Sequence, residues 1–410
     1  MAKVKYLQCV KCGKTYSPHE VMYYCPICGI EGTLYVIYEY EKLKDKFTRQ
    51  ALGKNREYSL WRYLDILPVE NRPESLNLQV GWTPLYRAVQ IQKELGVDCV
   101  YVKDDGRNPT ASFKDRASAI GVAKAIELKS KVICAASTGN AASSLSGFAA
   151  CAGISTYIFV PASAPEAKIA QLLIYGSNVV LVDGTYDEAF ELCLKASEKF
   201  GWYNRSCAIN PYLLEGKKTV SFEIMEQLNW EVPDWIVMSI GDGCCISGAW
   251  KGFKEMYELG LIDRMPKMLG VQASGSNPVN RAFREGKNYF EYEKPDTLAD
   301  SISVGIPRNG LKALRALRES YGDVVDVEDY EILEAMKLMA RLTGVFGEPA
   351  GVTCFAGLRK MIKKNRIKRD EKVVLIVTGN GLKDIKSAIS AVEKPIAIKP
   401  DINELKKIIK

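Results

Sequence analysis

The chain has 410 residues, 47% of them hydrophobic and 26% charged, which is ordinary for a globular protein and long enough for two or three domains. Its 56 basic and 49 acidic residues leave a formal charge of +7, spread along the chain apart from a lysine-rich C-terminal end. That mild bias suits anionic substrates and is only weak evidence for nucleic acid, which is not the expected partner. No apolar run approaches the ~20 residues of a membrane span and no apolar leader core opens the chain, so a cytoplasmic setting without membrane attachment is expected, with reduced thiols.

Near the N-terminus, Cys9-x2-Cys12 is followed after twelve residues by Cys25-x2-Cys28. Two such knuckles bring four soft thiolates to the vertices of a tetrahedron, the arrangement of a closed structural Zn2+ site, and they predict a zinc ribbon. The chain's one histidine, His19, lies inside this ribbon. Serine–histidine and cysteine–histidine triads are thereby excluded from the body of the protein.

From about residue 99 a phrase recurs: an apolar run, a loop rich in Gly, Ser, Asn or Asp, then a helical pattern. KVICAA (131–136), STYIFVPA, NVVLVDG, DWIVMSI (234–240), KMLGVQASG (267–275) and KVVLIVTGNGLKD (372–384) read as strands. Continuous apolar strands alternating with helices predict an α/β fold with parallel sheets covered on both faces. Thr185 and Glu188 have capping-box spacing ahead of a helix whose Phe190, Cys193, Leu194 and Ser197 share one face.

Ligands of open α/β sheets bind beyond the carboxyl ends of the strands. Three loops there carry glycine and open helices: Ser137–Asn140, Gly241–Cys245 and Thr378–Gly381. Glycine lets backbone N–H groups turn toward an anion, and a helix N-terminus adds partial positive charge, so such loops can cradle a phosphate. In NPTASFKDRASA (108–119), Ser112 is placed to cap a helix whose third position is Asp115, which would fix the direction of Lys114. A lysine held on such a turn, with its pKa lowered by its surroundings, could form a Schiff base with an aldehyde cofactor.

The segments KDDGRNPTASFKDRAS, STGNAASSLSGFAA, PDWIVMSIGDGCCISGAWKGFKE and VTGNGLKD, in this order between about Gly81 and Asp384, resemble the threonine synthase family. These are fold-type II pyridoxal 5′-phosphate (PLP) enzymes related to the tryptophan synthase β subunit, and part of the family carries a zinc-ribbon-like segment. The resemblance implies two doubly wound α/β domains behind an N-terminal zinc ribbon. Residues 1–38 would form the ribbon, 39–124 and 211–410 the large PLP-binding domain, and 125–210 the smaller α/β domain. It further implies that Lys114 is the covalent cofactor anchor and proton carrier, and that Asn140 bonds the ring hydroxyl. Gly241, Asp242, Gly243, Cys244 and Cys245 would wrap the cofactor phosphate, Thr378 would bond the ring nitrogen, and Ser137, Thr138 and Gly139 would hold the substrate carboxylate. A homodimer is the usual assembly in the family.

The chain departs from the family pattern at several points. Ala111 and Ala117 stand where GSFKDRG is usual, and Asp242, Cys244 and Cys245 replace residues of a Gly-Asn-Gly/Ala-Gly-Asn loop. An aspartate facing a phosphate would be repelled, so Asp242 is expected to point away or to cap the following helix. In CAINPYLLEGKKT (207–219), Cys207, Ala208 and Leu213 replace the Asn, Ser and Arg that hold the substrate phosphate in the family, leaving Lys217, Arg205 or Lys218 to compensate. The leading expectation is a PLP-dependent carbon–oxygen lyase converting O-phospho-L-homoserine and water to L-threonine and phosphate. The alternative, favoured by those replacements and by ADSISVGIP (299–307), is β-replacement or β-elimination on O-phosphoserine, serine or threonine, as in cysteate synthases or dehydratases. The intact lysine and STGN argue against a catalytically idle relative.

Overall fold

The structure is a computed structural model and describes residues 4–409. Strands β1 (Val4–Cys9), β2 (Thr15–Tyr16) and β3 (Leu34–Tyr38) form an antiparallel sheet of order β2-β1-β3. Leu34, Val36 and Tyr38 alternate inward along β3, the period of a strand with one covered face. This ribbon is seated on the body by polar contacts on several sides. The Lys312 ammonium donates to Leu34 O at 2.7 Å, the Arg315 guanidinium to Val10 O at 2.6 Å, and the Tyr38 hydroxyl to Glu215 Oε2 at 2.8 Å. The Tyr23 hydroxyl accepts from Asn204 N at 2.7 Å.

The body holds two sheets. In chain order the strands are β4 (Leu85–Arg87), β5 (Cys99–Asp104), β6 (Val132–Ala136), β7 (Ser155–Pro161), β8 (Asn178–Val182), β9 (Tyr203–Asn204), β10 (Trp235–Ser239), β11 (Lys267–Ala273), β12 (Asp323–Val327) and β13 (Lys372–Val377). One sheet runs β12-β11-β10-β13-β5-β4, parallel except for the antiparallel edge strand β4; the other runs β8-β7-β6-β9 and is parallel throughout. Every residue of β10 is buried, as a strand with helices on both faces requires. The apolar runs read from the sequence all form strands of these sheets.

Eight helices matter for the site: α1 (Lys114–Glu127), α2 (Asn140–Ala152), α3 (Tyr186–Phe200), α4 (Tyr212–Lys217), α5 (Thr219–Gln227), α6 (Cys244–Glu258), α7 (Gly310–Glu319) and α8 (Pro349–Lys363). α3 begins with the Thr185–Glu188 capping box. α4 lies so close to α1 that a Cβ at Gly216 would sit 1.9 Å from Arg116 O, which only glycine avoids. Among the described residues no helix is long and apolar enough to cross a membrane.

Beneath the site lies a fully buried ionic cluster. Arg116 bonds Asp105 Oδ2 at 2.6 Å and Glu223 Oε2 at 2.8 Å, and Lys103 Nζ is 2.7 Å from Glu223. Burial alone would raise the Glu223 pKa, but Arg116 and Lys103 outweigh it and hold the group at about 2 against an ordinary 4.5. The folded-state pKa is depressed, so its stabilisation is complete above pH 4.5 and is lost as the pH falls toward 2. The stabilisation at stake is on the order of 3 kcal/mol. Denaturant melts of Glu223→Gln and the parent across pH 2 to 6 are expected to show the parent's acid sensitivity reduced in the variant. Parallel pH profiles would contradict this assignment.

Candidate active site

β5 delivers the chain into the turn that carries Lys114. This turn is laced to the end of β13: Phe113 N donates to Thr378 O at 2.8 Å, Asn380 N donates to Ala111 O at 3.0 Å, and Ser112 bridges Gly379. Asp115 is buried and its Oδ2 accepts from Thr110 N at 2.6 Å, which closes the turn from inside. Ser112 does not cap α1, contrary to the spacing argument: the N-cap position is Phe113, with no side-chain bond. The ladder to Gly379 fixes the backbone instead, and the Ser112 hydroxyl is left buried without a partner. Ala111 has φ +64°, the left-handed region that glycine prefers, so the family's glycine here has a conformational cause. Lys114 is half-buried at the start of α1, with Nζ 3.9 Å from Cys245 Sγ.

Opposite stands the loop after β6. Gly139 N donates to Ser137 Oγ at 3.3 Å, and Asn140 opens α2. The Asn140 amide donates to Glu348 Oε1 at 2.8 Å and Oε2 at 3.0 Å, with Ser301 Oγ at 3.4 Å. Sequence reasoning missed Glu348. The available signal was an acid directly before the proline that starts a helix, in GEPAG. Burial raises the Glu348 pKa, opposed by the Asn140 bond and the Lys114 charge. A Cβ at Gly379 would fall 2.3 Å from Glu348 Oε1, so backbone and carboxylate can share this space only with glycine. The neighbouring Thr378 is buried beside them.

The Gly241–Cys245 loop joins β10 to α6. Gly243 has φ +88° and a Cβ there would lie 2.8 Å from Asn309 O; the loop must be bare to pass that chain. Asp242 accepts from Arg308 N at 3.2 Å through Oδ1 and from Asn309 N at 2.8 Å through its carbonyl, while burial raises its pKa. The carboxylate is thus held by the Arg308 segment. It does not cap α6, whose N-cap is Gly243 without a side-chain bond. The first N–H groups of this fifteen-residue helix carry the partial positive charge that favours an anion.

The cations next to this loop are sorted by helix face. Lys218 is spent on Glu215 at 2.7 Å and Glu255 at 2.6 Å. Lys217, one residue earlier and fully buried, has its Nζ 3.2 Å from Cys207 Sγ. Arg205 places a guanidinium nitrogen 3.7 Å from the same sulfur and another 3.3 Å from Lys114 O. Leu213 packs toward α1, its Cδ2 2.7 Å from where a Gly121 Cβ would stand.

The sequence profile of the family named "Pyridoxal-phosphate dependent enzyme" matches residues 76–379. The threonine synthase of Methanocaldococcus jannaschii is 46% identical over 406 residues, covering 98% of this chain and 99% of its own. That of Methanosarcina acetivorans is 41% identical over 408 residues, covering 98% of each chain. The chain belongs to the threonine synthase family of pyridoxal-phosphate dependent enzymes. The family's lyase character and its cofactor, expected from the resemblance, hold for this chain. Among solved structures, threonine deaminase isoform 2 of Solanum lycopersicum matches with a TM-score of 0.65 at 24% identity, over 75% of this chain and 82% of its own. The L-serine ammonia-lyase of Rhizomucor miehei gives 0.66 at 20%, over 75% and 96%. At such identities the likeness concerns the fold.

The residues fit the family's cofactor. A half-buried lysine starts α1, a buried hydroxyl at Ser112 lacks a partner, two loops tolerate no Cβ, and a helix N-terminus adjoins a buried ammonium that forms no ion pair with a carboxylate among the described residues. Away from this site the ribbon brings Cys9, Cys12, Cys25 and Cys28 together, their sulfurs all within 4.8 Å of one another. Lys11 N and Cys12 N point at Cys9 Sγ at 3.4 and 3.5 Å, and the Tyr16 hydroxyl lies 3.0 Å from Cys25 Sγ. Thiolates so supported can hold a tetrahedral metal ion with no open position.

Proposed function

We propose that the chain converts O-phospho-L-homoserine and water to L-threonine and phosphate. The observation that carries this reading is the pairing of Lys114 with a second, fully buried cation, Lys217, at the other side of Cys245 and Cys207. One lysine anchors the cofactor and the other awaits an anion. Bound pyridoxal phosphate supplies an electron sink for the substrate's Cα and Cβ. Lys114 Nζ, once free, takes and returns protons at those carbons. Ser137, Thr138 and Gly139, ahead of α2, hold the substrate carboxylate, and Asn140 bonds the cofactor's ring hydroxyl. Gly241, Asp242, Gly243, Cys244 and Cys245 surround the cofactor phosphate with backbone N–H groups. The Thr378 hydroxyl bonds the ring nitrogen; being neutral, it leaves the ring unprotonated and suited to elimination and replacement. Lys217 and Arg205 hold the substrate's phosphate and orient it as the leaving group.

The replacement of the family's Asn, Ser and Arg by Cys207, Ala208 and Leu213 favours one second reading, β-elimination or β-replacement on O-phosphoserine, serine or threonine. Steady-state assays on these four substrates, scoring phosphate, keto acid and threonine, are expected to show threonine formed from O-phosphohomoserine with the highest kcat/KM. Keto acid from serine or threonine as the main product would replace the first reading with the second.

Zinc in the ribbon, a homodimer, a cytoplasmic location and the domain bounds 1–38, 39–124 with 211–410, and 125–210 complete the proposal. The four close thiols support zinc, the separate four-stranded sheet supports the smaller domain, and family likeness alone supports the dimer and the location. Elemental analysis of tag-free protein is expected to find stoichiometric zinc. Serine at Cys9, Cys12, Cys25 and Cys28 together is expected to lower Tm while cofactor absorbance persists, because a closed site has no position for substrate. Protein that is pure, active and free of zinc would contradict the assignment.

A further inference from the structure

We propose that Cys207 is a covalent modification site, a thiol whose sulfur occupies the seat of the substrate's phosphate between Lys217 and Arg205. The proposal rests on the reading of that seat given above and adds the thiol chemistry of the residue between the two cations.

A fully buried ammonium needs an anion, since leaving it alone costs several kcal/mol. Lys217 is fully buried, and its polar partner is the Cys207 sulfur at 3.2 Å. The groups facing this sulfur come from every neighbouring element: Arg205 from its own loop at 3.7 Å, Lys217 from α4 and Cys244 from α6. Asn309 bonds Cys207 O at 2.7 Å and Cys244 Sγ at 3.2 Å. The Asp242 carboxylate, which feels both Cys207 and Lys217, accepts from Arg308 N at 3.2 Å, and Lys312 on α7 is bonded to Leu34 O. Cys244 is pushed up by its contact with Cys207 and by burial, so it keeps its proton and donates. Cys207 is pushed down by that donation and, against burial, by Lys217 and Arg205. Of the thiols here Cys207 is the one flanked by two cations, Lys217 at 3.2 Å and Arg205 at 3.7 Å, and the residue is half-buried.

Phosphate and thiolate therefore compete for the same two cations. With phosphate seated, the sulfur must take up a proton or withdraw, and its nucleophilicity falls. With the seat free, the sulfur attacks soft electrophiles. With iodoacetamide an S–C bond forms, the C–I bond breaks and iodide leaves with the electron pair. With a small organic disulfide, a mixed disulfide forms and one half departs as thiolate. Either product fills the seat and blocks a phosphorylated substrate.

The test uses the holoenzyme, pulsed with iodoacetamide at pH 7 and read cysteine by cysteine by mass spectrometry. Cys207 is expected to react on the order of tenfold faster than the partly exposed Cys99 and Cys151. Inorganic phosphate is expected to slow Cys207 and leave those two unchanged, and Lys217→Met is expected to remove the rate advantage. Equal rates at the three cysteines, or no effect of phosphate, would overturn the proposal. So would a Cys207 that reacts fast in cofactor-free protein and not at all in holoenzyme, because the cofactor's own phosphate would then hold Lys217. If the reactivity and protection stand while O-phosphohomoserine is not turned over, the substrate reading fails by itself. If turnover is normal and Cys207 is ordinary, this inference fails by itself.

Discussion

Lys114→Ala is expected to abolish the visible absorbance of protein-bound pyridoxal phosphate and to lower turnover by several orders of magnitude, while the protein stays folded. The expected loss is large because the proposed roles, covalent anchoring and proton transfer at the substrate carbons, both fall to this one amine. The fold persists because among the described residues the side chain makes no ion pair, and its polar contact is the long one to Cys245 at 3.9 Å. The turn around it is held by Phe113, Ser112, Ala111 and Asp115, none of which the substitution touches. Borohydride reduction followed by peptide mapping checks the assignment. Cofactor still trapped on the variant chain would show that another lysine is the anchor.

Lys217→Met is expected to raise KM for O-phosphohomoserine about 10- to 150-fold, the loss of one charge-assisted hydrogen bond worth roughly 1.5–3 kcal/mol. Serine and threonine, which have no phosphate, should be handled as before. Methionine keeps most of the lysine stem, which lies where a Cβ at Gly248 would be 2.7 Å from Lys217 Cβ, so the packing of α4 on α6 is preserved. No carboxylate is orphaned, because none among the described residues forms an ion pair with this ammonium. The equivalent change at Lys218 should instead destabilise the protein, since Glu215 and Glu255 would lose one of the two cations they share and keep only Lys251. An unchanged KM in Lys217→Met would leave Arg205 as the phosphate-holding group.

Features set by local chemistry were legible in the sequence. The CxxC spacing announced the thiol cluster, the Thr185–Glu188 pair announced a real capping box, and the apolar runs announced the strands. What depended on distant chain was not. Ser112 had the spacing of a cap, but the bridge to Gly379 and the bond from Phe113 N to Thr378 O moved the start of α1 one residue on. Glu348 comes to Asn140 from 208 residues away, and nothing near it in the chain names its partner. Lys217 and Lys218 are consecutive, and the helix rotates them onto different neighbours, so composition names both while only the packing sets Lys217 beside Cys207 and Lys218 between Glu215 and Glu255.

The most direct test of the central claim is a turnover of O-phospho-L-homoserine in water enriched in 18O. Cleavage at the carbon–oxygen bond with water added at Cβ predicts label in the threonine hydroxyl and unlabelled phosphate. Label in the phosphate, with homoserine as the organic product, would mean attack at phosphorus and would contradict the account.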